Sequence, residues 1–218
     1  MAVVRSFTFN PFAENTIVVY DESKECVVFD PGCSTDLEQV ELTDFIKYEN
    51  LKPVRLINTH GHLDHMMGNK FIADKYGIGL EIHKDEVSVL ESAPRVGAAY
   101  GVPVVASPSP TRFIEDNEVI AFGQTSMKAI LAPGHSPASL CFLIESDQIL
   151  IGGDVLFHMS IGRTDLPGGN YETLMKSIFE RLLVLEDEVM VYPGHGEPTT
   201  IGHERNHNPF ILQESRKS

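Results

Sequence analysis

An α/β (α+β) fold in a single domain spanning residues 1–218 is predicted by three features of the chain. Short β-type runs alternate with helical segments in both halves. Hydrophobic residues make up 42% of the chain, enough to bury a sizeable core. Four segments rich in metal-binding side chains each follow directly on a β run. Loops leaving the same edge of packed sheets converge on one point, so the third feature predicts a site as well as a fold.

The first third reads as an antiparallel meander, with β runs over 3–9, 16–20 and 26–30 separated by the turn-prone Asn10-Pro11 and Asp21-Glu22-Ser23. Asp30-Pro31-Gly32 breaks it. Ser34 then caps a helix with Leu37, Val40, Phe45 and Ile46 on its apolar face, ending before Lys52-Pro53. A strand over 54–58 delivers the first histidine-rich segment, and a helix over 66–76 stops at Gly77. A short strand over 80–83 precedes a helix over 85–92, and the Pro-, Gly-, Ala- and Ser-rich stretch 94–110 reads as a surface loop. The C-terminal half repeats the scheme: β runs over 119–122, 126–131, 140–144 and 148–151, a helix over 171–185 with Leu174, Ile178, Leu182 and Leu185 on one face, and a strand over 189–192.

Chemistry concentrates after four of these β runs. His60, His62, Asp64 and His65 fall within six residues of NTHGHLDHMMGN, and His135 (PGH), Asp154 (GGD) and His195 (PGH) follow later. Five imidazoles and two carboxylates suit two divalent cations, zinc first with iron or manganese as alternatives, if one carboxylate is shared. Side chains two apart in an extended loop point the same way, so His60 and His62 can grip one ion while Asp64 and His65 turn toward another. His135 would complete the first set and His195 the second. Asp154, after two glycines, is the natural bridge. Such a site lowers the pKa of bound water toward neutrality and produces a hydroxide nucleophile, so no serine or cysteine nucleophile is needed.

The remaining composition excludes some functions. Lys and Arg number 17 against 31 Asp and Glu, a formal charge of −14, which repels polyanions and argues against nucleic acid. Cys26, Cys33 and Cys141 are an odd set without CxxC spacing, read as reduced packing thiols of a cytoplasmic protein. The chain begins without a charged-then-apolar leader, and its longest apolar runs fall far short of a membrane span. The expected partner is a small-molecule ester or thioester; the oligomeric state is left open.

The pieces THGHLDH, APGHSP, GGDVLF, GRTDLPGG and PGHGEPT resemble the metallo-β-lactamase-fold hydrolases. Within them the chain resembles the short bacterial relatives of glyoxalase II, the hydroxyacylglutathione hydrolases, over nearly its whole length. That resemblance implies a four-layer αβ/βα sandwich, a binuclear centre and hydrolysis of a thioester such as S-D-lactoylglutathione. It implies His60, His62 and His135 on one metal, Asp64, His65 and His195 on the other, and Asp154 on both. Asp64 is the candidate to take the proton from the nucleophile. His158, soon after Asp154, and Arg163, in the segment Ile161-Gly162-Arg163-Thr164-Asp165, are candidates for substrate binding, with an Arg163–Asp165 pair that fixes the loop as the structural alternative.

The pattern departs from full-length glyoxalase II in having only 23 residues after His195, so no added C-terminal helical domain is expected and glutathione recognition must be built differently. A mononuclear iron persulfide dioxygenase is the nearest rival. That family shows HDY after its last ligand histidine and a cysteine before GRTD, where this chain has HGE and HMSIGRTD. A lactonase is a second enzymatic alternative, and a metal-binding scaffold the non-enzymatic one. A true β-lactamase is disfavoured, because the secreted enzymes usually place cysteine or a different ligand set where Asp154 stands.

Overall fold

A computed structural model describes residues 1–216. The chain divides into two compact units, Met1–Ile114 with Ile120–Ser126, and Glu115–Val119 with Met127–Ser218.

In the first unit, β1 (Val3–Phe9), β2 (Glu14–Tyr20) and β3 (Glu25–Phe29) form the expected antiparallel meander. β4 (Lys52–Ile57), β5 (Leu80–Ile82) and β6 (Arg112–Phe113) extend it in parallel, giving the sheet order β1-β2-β3-β4-β5-β6. Each parallel step needs a crossover, supplied by α1 (Asp36–Tyr48), α2 (Asn69–Tyr76) and α3 (Val87–Tyr100). Phe7, Val18, Val28, Leu42, Leu56 and Ile72 belong to the core that these elements enclose.

Two local readings need correction. α1 is capped by Thr35, not Ser34, because Thr35 and Glu38 form a reciprocal capping box. The helix then buries Leu42 and Ile46, while Leu37 is 83% and Val40 54% exposed. Secondly, the expected loop from residue 94 is helical as far as Tyr100, and α3 passes straight through Pro94. Proline there removes one backbone donor and crowds the preceding turn. Burial of Leu90, Ala93 and Gly97 along the same helix outweighs that cost.

β7 (Val119–Phe122) and β8 (Thr125–Leu131) carry the chain onward. In the second unit β9 (Leu140–Ile144) and β10 (Ile149–Gly153) continue the antiparallel pairing of β8. β11 (Leu156–Phe157) and β12 (Ser160–Ile161) make a separate two-stranded hairpin. α4 (Tyr171–Ser177) crosses over to β13 (Met190–Pro193), which lies parallel to β10, and β14 (Thr199–Thr200) closes the order β14-β13-β10-β9-β8. The helix expected over 171–185 loosens after Ser177 into a π-helical stretch, Ile178–Leu182, which still buries Ile178 and Leu182. Two short helices not anticipated from the sequence, α5 (Ile201–His207) and α6 (Pro209–Ser215), follow. No helix among the described residues is long and apolar enough to cross a membrane.

Candidate metal centre

The donors of the first unit leave the C-terminal end of β4. After Ile57 the chain runs through Asn58 and Thr59 to His60, Gly61 and His62, then tightens into a 3₁₀ turn, Leu63–His65. His60 and His65 are fully buried, and the ring of His60 lies 4.7 Å from that of His62 and 4.2 Å from that of His65. Gly61 is required between the two histidines. A Cβ there would stand 2.7 Å from the backbone nitrogen of Leu90, in the first turn of α3, and 2.8 Å from the backbone oxygen of Glu86, just before it. The Gly61 N–H also donates to the buried Glu86 carboxylate at 2.9 Å, which pins the loop.

Asp30, at the end of the neighbouring strand β3, sets the chemistry of these histidines. Its carboxylate accepts from the Thr59 N–H (2.7 Å), the Thr59 hydroxyl (2.6 Å), Asn58 Nδ2 (3.2 Å) and His65 Nδ1 (3.1 Å). Since the Thr59 hydroxyl spends its proton on Asp30, its lone pair accepts from His60 Nδ1 at 3.0 Å. Both rings therefore carry the proton on Nδ1 and present a bare Nε2, the state a metal ligand needs. His65 Nε2 lies 3.7 Å from Asp64 Oδ2. Beside them Glu14 is wholly buried, and burial holds its carboxyl well above the usual carboxylate range despite the opposing pull of His65.

The second unit repeats the device. Gly134 in the PGH turn has φ of +125°, and a Cβ there would meet the Leu174 backbone at 2.2 Å, so only glycine fits. His135 Nδ1 donates to the Arg163 carbonyl at 2.8 Å, leaving Nε2 as the donor nitrogen. That Nε2 is 3.5 Å from Asp154 Oδ2, and His195 Nε2 is also 3.5 Å from the same oxygen. These separations are too long for good hydrogen bonds. They match the edge of a tetrahedron of donors around a zinc-sized ion, about 3.4 Å for bonds of about 2.1 Å. One carboxylate oxygen equidistant from two imidazole nitrogens is placed to join either of them around a cation. On this geometry, and on the oriented nitrogens, the donors fit borderline divalent cations.

His158 sits at the turn of the β11–β12 hairpin, its Nδ1 2.9 Å from Glu197 Oε1. Arg163 forms a two-pronged pair with Asp165, at 2.8 and 2.7 Å, which holds the Asp165 carboxyl down to about 2. The loop-fixing pair is thus present, and it is the main chain of Arg163 that reaches His135. His83, just after β5, caps the 3₁₀ turn Lys84–Glu86, its Nδ1 accepting from the Asp85 N–H. Asp30, Thr59 and Glu14 were not singled out from the sequence. No motif marks Asp30, which closes the β run 26–30 and orients neighbouring side chains.

The fold and this donor chemistry define a class: the chain belongs to the metallo-β-lactamase superfamily, whose profile matches residues 9–195. Among its relatives, the probable metallo-hydrolase YqgX of Bacillus subtilis is 34% identical over 209 residues, covering 95% of this chain and 96% of that protein. The hydroxyacylglutathione hydrolase GloC of Haemophilus influenzae is likewise 34% identical over 209 residues, covering 94% and 95%. The crystal structure of BLEG-1 B3 metallo-β-lactamase superposes with a TM-score of 0.88 at 34% identity, over 96% of this chain and 99% of that one. TTHA1623 in a di-iron-bound form gives 0.85 at 31% identity, over 94% and 99%. The chain is a metal-dependent hydrolase with the α/β fold of this superfamily.

Proposed function

We propose that the seven donors named from the sequence serve a binuclear centre, and that the protein hydrolyses a hydroxyacyl thioester of glutathione such as S-D-lactoylglutathione. His60, His62 and His135 would hold one cation, Asp64, His65 and His195 the other, and Asp154 both. The observation that carries the reading is the Asp154 oxygen 3.5 Å from both His135 and His195. Support also comes from the family profile, which spans both units and all seven donors, and from the activity named for GloC. The di-iron-bound form of TTHA1623 supports two ions per chain. We take zinc as the first choice, with iron or manganese as alternatives.

When bound, such cations acidify water and polarise a carbonyl oxygen. The protein's own part is orientation and proton handling. Asp30 and the Arg163 carbonyl keep three imidazoles in the tautomer that binds a cation. An Asp64 carboxylate oxygen accepts the proton that the attacking water loses. The thiol leaves as a thiolate and needs no acid, since its pKa is about 8.5. The products are one carboxylic acid and one thiol, with water consumed. Arg163 would contact substrate by exchanging Asp165 for it, whereas His158 keeps its bond to Glu197. Three buried free thiols, Cys26, Cys33 and Cys141, support a reducing, cytoplasmic setting.

The test is metal analysis of the purified protein together with assays on S-D-lactoylglutathione, a chromogenic cephalosporin, a lactone and glutathione persulfide with oxygen monitoring. Two cations per chain and thioester cleavage that Asp154→Ala abolishes are expected. One iron with oxygen uptake, or turnover confined to the lactam or lactone, would overturn the reading.

A further inference from the structure

We propose a second, separate cation site in the C-terminal unit, formed by His158, His203 and Glu204 and selective for zinc-like ions over magnesium or calcium. One ring nitrogen of each histidine and one Glu204 oxygen lie within 4.8 Å of one another. None of the three belongs to the seven donors assigned above.

The anchor is Glu204. It is fully buried, and its carboxylate is fixed by the Thr199 hydroxyl on Oε1 (2.6 Å) and by the Met159 N–H (2.9 Å) and Asn208 Nδ2 (2.7 Å) on Oε2. No lysine or arginine among the described residues pairs with it. A buried carboxylate with dipoles but no cation beside it is a strong point of attraction for one. His203 Nε2 stands 4.0 Å from Glu204 Oε1, is shielded from solvent and makes no hydrogen bond among the described residues. Closing to the tetrahedral edge of about 3.4 Å takes a movement of about half an ångström.

His158 supplies the third donor in a prepared state. Glu197 engages its Nδ1 at 2.9 Å, the carboxylate-to-histidine contact that leaves Nε2 basic and directed. Its ring packs edge-on against His203 at 5.2 Å, and His203 stacks on His207 at 4.8 Å. The side chains are 37% and 41% exposed, so an ion has a path in and a fourth position for water. The backbone already joins the contributing elements, because the Met159 N–H bonded to Glu204 adjoins His158. Two imidazoles with one carboxylate select zinc, copper or nickel over the oxygen-seeking ions. Bound there, an ion ties the β11–β12 hairpin to α5.

The experiment counts zinc by mass spectrometry on chelator-stripped, zinc-reloaded full-length protein, comparing wild type with His203→Gln and with His158→Gln. Each variant is expected to hold one equivalent less than wild type. The readout is a difference, so it stands whatever number the seven principal donors hold. Excess zinc should also raise the melting temperature of wild type by about 5 °C more than that of either variant, while magnesium gives no such difference. His158→Gln lies on an exposed turn and keeps the test alive if His203→Gln folds poorly. Equal zinc content in wild type and in the folded variants would overturn the proposal, as would an equal thermal response.

Discussion

Replacing Asp30 by asparagine should damage metal binding without removing a single proposed ligand. Asp30 has φ of +45°, a conformation asparagine also tolerates, so the change isolates the carboxylate from the backbone. An amide keeps one acceptor. With its oxygen in the Oδ1 place, it still serves the Thr59 N–H and Asn58. Its NH₂ then faces the Thr59 hydroxyl and His65 Nδ1, two groups that now donate. The hydroxyl must turn its proton toward His60 Nδ1, and His65 must give up the proton on Nδ1. Both rings are driven to carry hydrogen on Nε2, the nitrogen meant for the cation. Loss of such an orienting group costs about 10- to 100-fold in metal affinity. Two charge-assisted hydrogen bonds weakened to neutral ones remove about 2–4 kcal/mol of stability. Competition against a chromophoric chelator reads the first effect and urea denaturation of the stripped protein the second. A folded Asp30→Asn protein with zinc affinity within twofold of wild type would refute the tautomer argument.

The Asp21 carboxyl is held down to about 2, its desolvation outweighed by bonds from Ser23, Gln124 and Thr125. Its folded value lies below the unfolded one, so the stabilisation is present above about pH 4 and lost as the pH falls toward 2. It amounts to about 2 kcal/mol, and Asp21→Asn should flatten that part of the pH–stability curve measured by urea titration. Gly61→Ala sets a methyl against two backbone atoms and should lower stability by about 1–3 kcal/mol; an unchanged urea midpoint would show that α3 yields there. Leu42→Ala should cost about 2–5 kcal/mol and Leu37→Ala less than about 0.5, and comparable losses would contradict the burial of α1.

That last pair marks what the sequence could and could not tell. A 3.6-residue period placed Leu37 and Val40 on the core face of α1. Ile46 is buried and Phe45 packs against the core as read, but Leu37 and Val40 lie exposed in the first turns and Leu42 takes the buried place. The longer strands were legible within a residue or two because β-branched runs between turn residues leave little choice, whereas the two-residue strands β6, β11, β12 and β14 are too short to show a pattern. Pro94 misled for a definite reason: proline predicts a break from local sterics, while continuation of α3 is decided by burial of residues far away in sequence. α5 and α6 are seven residues each, too short for periodicity to register. At the site, the seven donor-type residues were legible as motifs. Asp30 and Thr59 were not, because their part is to orient neighbours, and the contact between Asp30 and His65 depends on β3 pairing with β4.

The two ways of orienting histidine have unequal tolerance for change. His65 is fixed by a side chain, so position 30 must be aspartate for the ring to point correctly. His135 is fixed by the main-chain carbonyl of residue 163, which every amino acid supplies, and the bond from Gly162 N–H to the Val155 oxygen keeps that carbonyl in place. The guanidinium of Arg163 points elsewhere, to Asp165. Residues 163 and 165 can therefore be randomised as a pair to seek new substrate preferences in a library whose members keep the histidine aligned, whereas diversity at position 30 would yield mostly dead variants.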